Sequence, residues 1–254
     1  MPDSRAGPAT RAQTEVIGFV LTFGIIVLAV GVVTASGYAG LQHAQQAEQV
    51  DNAAVAFQVL AANVDDLVQA GVPSRSTELK LSAAQLSLGD PVTVNVTVTS
   101  LADPNRTVSY ALASRPIVYD ARTGSTVVYS SGAVIRVDRG GVVLLRKPGW
   151  TLAADRTTLP IVELRARGPT SVGGSTQVQV RTTRAEAPLL VSEPSPQRVT
   201  VAVTSPRATA WERYLRPRVD AAGGTCTAGA GTVSCTFDTQ RVHVVAVRTD
   251  VTFR

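Results

Sequence analysis

The side chains able to do covalent chemistry are few, and their spacing limits what they can do. Cys226 and Cys235 are the only two cysteines, and they flank Thr-Ala-Gly-Ala-Gly-Thr-Val-Ser. If Ala230-Gly231 is a two-residue turn, the two thiols face each other across a hairpin. Outside the cell they would oxidise to a local disulfide, and otherwise they would remain two buried free thiols. A Cys–His nucleophile pair is formally available. However, His43 lies in a helical stretch and His243 alternates with Val242 and Val244 in a strand pattern, so both read as structural. Two Cys and two His cannot build a zinc cluster. No G-x-S-x-G, H-E-x-x-H, phosphate loop or G-x-G-x-x-G stands in a suitable context. The expectation is a non-enzyme without metal or cofactor. Asn95-Val-Thr97 and Asn105-Arg-Thr107 fit the N-glycosylation triplet, which matters only on an exported chain.

What must position these residues is a chain of 254 residues, 44% apolar and 17% charged, which excludes intrinsic disorder and allows a real core. All but two of the 24 basic side chains are arginine, the exceptions being Lys80 and Lys147. The net charge of +5 raises nucleic-acid binding as a function. The arginines are spread without a run of three and with little aromatic interleaving, Arg213, Arg216 and Arg218 forming one small cluster. A solvated basic surface is the expectation, with no nucleic-acid partner.

The apolar residues are concentrated at one end. Val16 to Val33 contains no charge, and the uncharged stretch continues to Glu48. A spanning helix needs about 20 mainly apolar residues, more than the roughly 7–15 of an ordinary signal-peptide core. Arg5 and Arg11 precede the run, while Glu48, Asp51, Asp65 and Asp66 follow it. The bias of positive charge toward the cytoplasm predicts an N-terminus inside and everything after the span outside, with membrane lipid as a partner. A buried core helix is the alternative.

Just before that run stands Arg11-Ala12, followed by Gln13-Thr14-Glu15. This resembles the class III signal peptide of archaeal type IV pilins and archaellins, in which a prepilin-type peptidase cuts before the apolar stretch rather than after it. The resemblance implies a cytoplasmic leader of residues 1–12 and a mature protein beginning at Gln13. The helix then stays on the chain as an anchor and packs against other pilin-like subunits during assembly. Gly18, Gly24, Gly31, Gly37 and Gly40 permit close helix approach. Glu15 would sit in the first turn, favoured by the helix dipole, or would pair with the freed amine of Gln13 on a neighbouring subunit.

No proline occurs between Pro8 and Pro73, and Val50, Ala53, Phe57, Leu60, Val64 and Leu67 recur at spacings of three and four. One helix is therefore predicted over about 13–70, about 90 Å at 1.5 Å per residue, ended by Gly71 and Pro73. The stripe packs on the protein's own domain, on neighbouring helices, or on both. Beyond residue 71 the period changes to two. In Pro91–Thr99, Val92, Val94, Val96 and Val98 point inward while Thr93, Asn95, Thr97 and Thr99 point outward. Further strands are predicted at 117–119, 126–129, 133–137, 142–145, 161–165, 176–181, 199–203 and 242–251, with Asp138-Arg-Gly-Gly141 as a hairpin turn. A short helix is predicted near 206–216. Ser205 is its N-cap and Pro206 its first residue, Trp211, Tyr214 and Leu215 form its buried face, and Pro217 and Gly223-Gly224 end it.

The predicted fold is α+β: a transmembrane helix continuing into an amphipathic helix over 13–71, packed on an antiparallel, sandwich-like exterior domain over 72–254. The stretch from Thr204 through Trp211 to Cys226 also resembles an uncharacterised family of pilin-like exported proteins from haloarchaea. That group is typically acidic, whereas this chain is basic. The resemblance implies a minor pilin-like surface subunit, acting in surface structure or adhesion. The alternatives are an anchored exterior binding domain that never assembles, and a secreted protein cut by ordinary signal peptidase near Val33-Thr34-Ala35.

Overall fold

The computed structural model describes residues 9–121 and 124–254, leaving aside the side chains of 9–16, Ala39 and His43. The chain forms two compact units, Met1–Glu48 and Gln49–Arg254. One helix, α1 (Ala9–Gln69), passes from the first into the second. In the first unit its described side chains from Ile17 to Tyr38 are exposed: Phe19 and Val33 each at 71% and Leu28 at 70%. It is the one helix among the described residues long and apolar enough to cross a membrane.

Within the second unit the same helix changes character. Val50, Ala53, Phe57, Leu60, Val64 and Leu67 are buried, whereas Val55, half a turn away, is 60% exposed. Gly71 ends the helical stretch with a φ of +67°, in the left-handed region that glycine adopts without strain.

The rest is β-rich. In chain order the strands are β1 (Ser74–Lys80), β2 (Ala84–Leu88), β3 (Val92–Ser100), β4 (Thr107–Ser114), β5 (Ile117–Asp120), β6 (Thr126–Ser130), β7 (Ala133–Asp138) and β8 (Gly141–Arg146). They continue with β9 (Thr151–Leu152), β10 (Thr157–Ala166), β11 (Ser171–Gly174), β12 (Gln177–Glu186), β13 (Leu189–Glu193) and β14 (Gln197–Thr204). After the helix α2 (Ala208–Ala221) come β15 (Thr225–Gly229), β16 (Thr232–Thr239) and β17 (Val242–Phe253).

These strands make three sheets. The first runs β1-β12-β17-β10-β9, with β13 also on β17; the second runs β11-β2-β5-β6-β7-β8; the third runs β15-β16-β14-β3-β4. All pairs are antiparallel except β10 with β17. That parallel pair is central, and Ile161 to Leu164 is buried at every position, as expected for a strand covered on both faces. Glu163 interrupts the apolar run at 8% exposure; its carboxylate accepts from Arg248 Nε at 3.2 Å.

Two cores result. One joins the valines of β3 and β14 to α2 and to the first halves of β10 and β17. The other gathers Val50, Phe57, Leu60 and Val64 with Leu79, Leu86, Tyr119, Val180 and Phe253. Asp51, Asp65 and Asp66 beside the buried stripe pair with Arg136, Arg146 and Arg75. These partly exposed pairs add register more than stability, at about 0–1 kcal/mol each.

Local chemistry explains the turns. β6 and β7 are joined by Ser131-Gly132, with φ of +44° and +89°, the two positive values a type I′ turn demands. The predicted Asp138–Gly141 hairpin is the β7–β8 turn. The short helix differs from its predicted span of 206–216. It begins at Ala208, because the Ser205 hydroxyl accepts from the Arg207 N–H and closes a turn ahead of the helix rather than capping it. It also runs through Pro217 to Ala221. Proline inside a helix costs about 3 kcal/mol, which tertiary packing offsets here. Val219 is fully buried, and Arg218 donates to the Tyr214 carbonyl at 2.8 Å with its guanidinium 4.1 Å from the Tyr214 ring centre. The stop comes at Gly223-Gly224: their amides bond back to Asp220 and Val219, a Schellman closure with Gly223 at φ +76°.

Tyr214 also predicts an alkaline transition. Burial pushes its phenol up to about 12, and burial pushes the fully enclosed Tyr129 phenol up as well. The folded state therefore keeps protons that the unfolded chain releases near the ordinary tyrosine value. Stability is full below about pH 10 and falls as pH rises from there through about pH 12, by about 1.4 kcal/mol per pH unit per tyrosine. Guanidinium unfolding midpoints across this window should drop, and Tyr214→Phe should flatten the drop.

Candidate functional site

Three features bear on function, and each stands on a different element. The first is the apolar segment of α1. Gly18, Gly24, Gly31, Gly37 and Gly40 have open space where a Cβ would stand, so a partner can come close to the backbone at each. Thr22 donates to the Gly18 carbonyl at 2.9 Å, so its hydroxyl is satisfied within the helix. Residues 1–8, and the side chains of Arg11, Ala12, Gln13 and Glu15, lie outside the described residues, as does that of His43.

The second is the cysteine pair. Ala230-Gly231 is the turn between β15 and β16, Cys226 stands directly opposite Cys235, and the two form a disulfide. Cys235 is buried against the core shared with α2, and Cys226 is partly buried there. The disulfide thus fastens the edge strand β15 beneath the helix, and Arg216 of α2 donates to the Cys226 carbonyl at 3.1 Å.

The third is the outer face of the third sheet. Its inner face is valine, with Val92, Val94, Val96, Val98, Val199, Val201 and Val203 all at 2% exposure or less. The outer face is almost entirely hydroxyl and methyl. Across the strands, Thr236, Thr200, Thr97 and Ser109 form one row, and Thr232, Thr204 and Thr93 form another. Four pairs of these hydroxyls bond to one another: Thr97 with Ser109 at 2.9 Å, Thr200 with Thr236 at 2.9 Å, Thr204 with Thr232 at 3.1 Å and Thr99 with Thr107 at 3.0 Å. Charge enters only at one end of the face, in the bidentate Arg198–Asp238 pair. Asn95 lies between the two hydroxyl rows, on the outward parity predicted for it, whereas Asn105 is exposed in the loop between β3 and β4.

A fourth arrangement was not predicted. Ser192 Oγ lies 3.1 Å from His243 Nδ1, because β13 and β17 place the two residues opposite each other. Among the described residues no carboxylate bonds to the other ring nitrogen, so the imidazole lacks the acid that orients a catalytic base. Also among the described residues, no group of three His, Cys, Asp or Glu side chains could hold a metal ion.

An apolar helix long enough to cross a bilayer, joined to a disulfide-bearing β-rich domain, defines the class of chain. More particularly, it belongs to DUF7289, a family of unknown function, whose pattern matches residues 11–252 and so takes in both units. No curated protein and no solved structure matches it.

Proposed function

We propose that this chain is a pilin-like surface subunit of the archaeal type IV kind. In this proposal α1 anchors it in the membrane and its β-rich domain acts outside the cell in surface structure or adhesion. The observation that carries the proposal is the change of character along one unbroken helix. Its first part offers apolar side chains on every side, as lipid or neighbouring helices require, and its second part buries a single stripe. An ordinary cleaved signal sequence has no use for such continuity. A cut near Ala35 would strand half a helix whose later turns are built into the core. Arg11-Ala12 ahead of the span supplies the processing site, and prepilin-type peptidase and other pilin-like subunits are the proposed partners. The disulfide accords with an oxidising exterior.

The test is the mature terminus. Mass spectrometry of the N-terminal peptide from membranes should find Gln13, and Arg11→Ala should leave the leader attached. A terminus at Met1 would leave an anchored exterior domain that does not assemble, and one beyond residue 33 would leave a secreted protein; either result removes the pilin-like proposal. A reporter fused after Arg254 should be active outside the cell, and activity in the cytoplasm would reverse the topology.

A further inference from the structure

We propose that Asn95 carries an N-linked glycan, attached before the third sheet closes, and that the hydroxyl face around it is the bed on which the first sugars lie. The inference rests on the exterior placement proposed above. Four observations support it. Asn95 and Thr97 complete the acceptor triplet, and their outward parity keeps both side chains off the valine core. The residues directly abreast of Asn95 on the neighbouring strands are Ala202 and Ala111, so nothing bulky stands beside the amide. Thr97, Thr200 and Thr204 pair with hydroxyls on neighbouring strands, whereas among the described residues neither the Thr93 hydroxyl nor the half-buried Asn95 amide has a hydrogen-bond partner. Finally, no lysine, glutamate or aromatic side chain lies in the rows on either side, leaving a level surface of methyls and hydroxyls that a sugar ring can lie across.

The chemistry needs a donor that the chain does not hold: an oligosaccharide linked through phosphate to a polyprenyl lipid. A bond forms between the Asn95 amide nitrogen and the anomeric carbon of the first sugar. The bond from that carbon to the donor phosphate breaks, the lipid phosphate leaves with the electron pair, and a base on the transferase takes the amide proton.

Timing follows from topology. β3 pairs with β4, its immediate successor, and on its other side with β14, which enters the chain much later. Until Gln197–Thr204 arrives, one side of β3 stays open to a transferase. Asn105 differs. It lies in a loop, its backbone N–H bonds to the Asp103 carboxylate at 3.1 Å and the Thr107 hydroxyl donates to the Pro104 carbonyl at 3.1 Å, so the turn is already set by local bonds.

Trypsin leaves both asparagines on one peptide, 81–106, and cuts inside the second triplet at Arg106, whereas cleavage before aspartate gives 90–102 for Asn95 and 103–119 for Asn105. Full-length chain from membranes should yield peptide 90–102 heavier by a whole number of sugar masses. Thr97→Val, which keeps Asn95 and the strand, should return it to the bare mass. External protease applied to the same cells reports exposure of the domain independently. A bare 90–102 peptide in a chain that protease reaches overturns the glycan alone, including when Asn105 is modified. A bare peptide in a chain sheltered from protease overturns both the glycan and the exterior placement.

Discussion

Phe57→Ala should destabilise the second unit by about 3–5 kcal/mol, the usual cost of emptying a buried phenylalanine site. Phe57 is fully buried in the core that gathers β1, β2, β5 and the ends of β12 and β17, so no exposed side chain can move in to fill the gap. Val55→Ala, two residues away but on the exposed side of α1, should change stability by less than about 0.5 kcal/mol. Denaturant midpoints of the detergent-solubilised chain, followed by tryptophan fluorescence, compare the two directly. Trp150 and Trp211 stack at 5.2 Å between ring centres in the other core. Their signal therefore reports whether loss of Phe57 loosens the whole unit or only its own half. Equal effects from the two substitutions would mean the stripe does not carry the helix.

Gly224→Ala should be the more disruptive change per atom added. A Cβ there would stand 2.4 Å from both the Phe237 Cβ and the Thr236 carbonyl oxygen, and 2.7 Å from a Val219 methyl. Two of these neighbours belong to β16 and cannot swing aside, so α2 must lift from the third sheet. Overpacking of this kind costs about 1–3 kcal/mol or more. The aromatic circular dichroism of the Trp150, Trp211 and Tyr214 cluster should weaken with it. Gly223→Ala meets no atom but must hold a φ of +76°, at about 1–2 kcal/mol. Gly229→Ala has neither problem and should be neutral. If Gly229→Ala and Gly224→Ala behave alike, the close approach of helix and strand is not what fixes this corner.

The legible parts of the fold are those where one face differs sharply from the other. The Val/Thr alternation of β3 gives its parity and its bounds to within one residue at each end, because a strand between a core and solvent must alternate. The cysteine hairpin was legible for a similar reason: Ala-Gly between two short runs leaves a single sensible register. Strands such as β4 and β11 carry no alternating pattern, because they lie at sheet edges and bury little, so their composition resembles loop. The parallel union of β10 and β17 joins segments far apart in sequence, and no local pattern reports such a partner. α2 overran its expected end because packing of Val219 and Arg218 outweighed the local effect of Pro217. Of the candidate sites, the triplets and cysteines were visible as motifs. The hydroxyl face was not, since it is assembled from strands that are scattered along the chain.

The position of β17 also sets a schedule. This final strand in chain order is flanked by β12 and β13 on one side and β10 on the other, so the first sheet lacks its middle until Val242–Phe253 arrives. Contacts this distant along the chain slow folding, because the loops that join them must close first. A chain that becomes available in sequence order therefore cannot complete this sheet before its last strand is present. Until then β10 lacks its parallel partner, and β12 and β13 lack the strand they share.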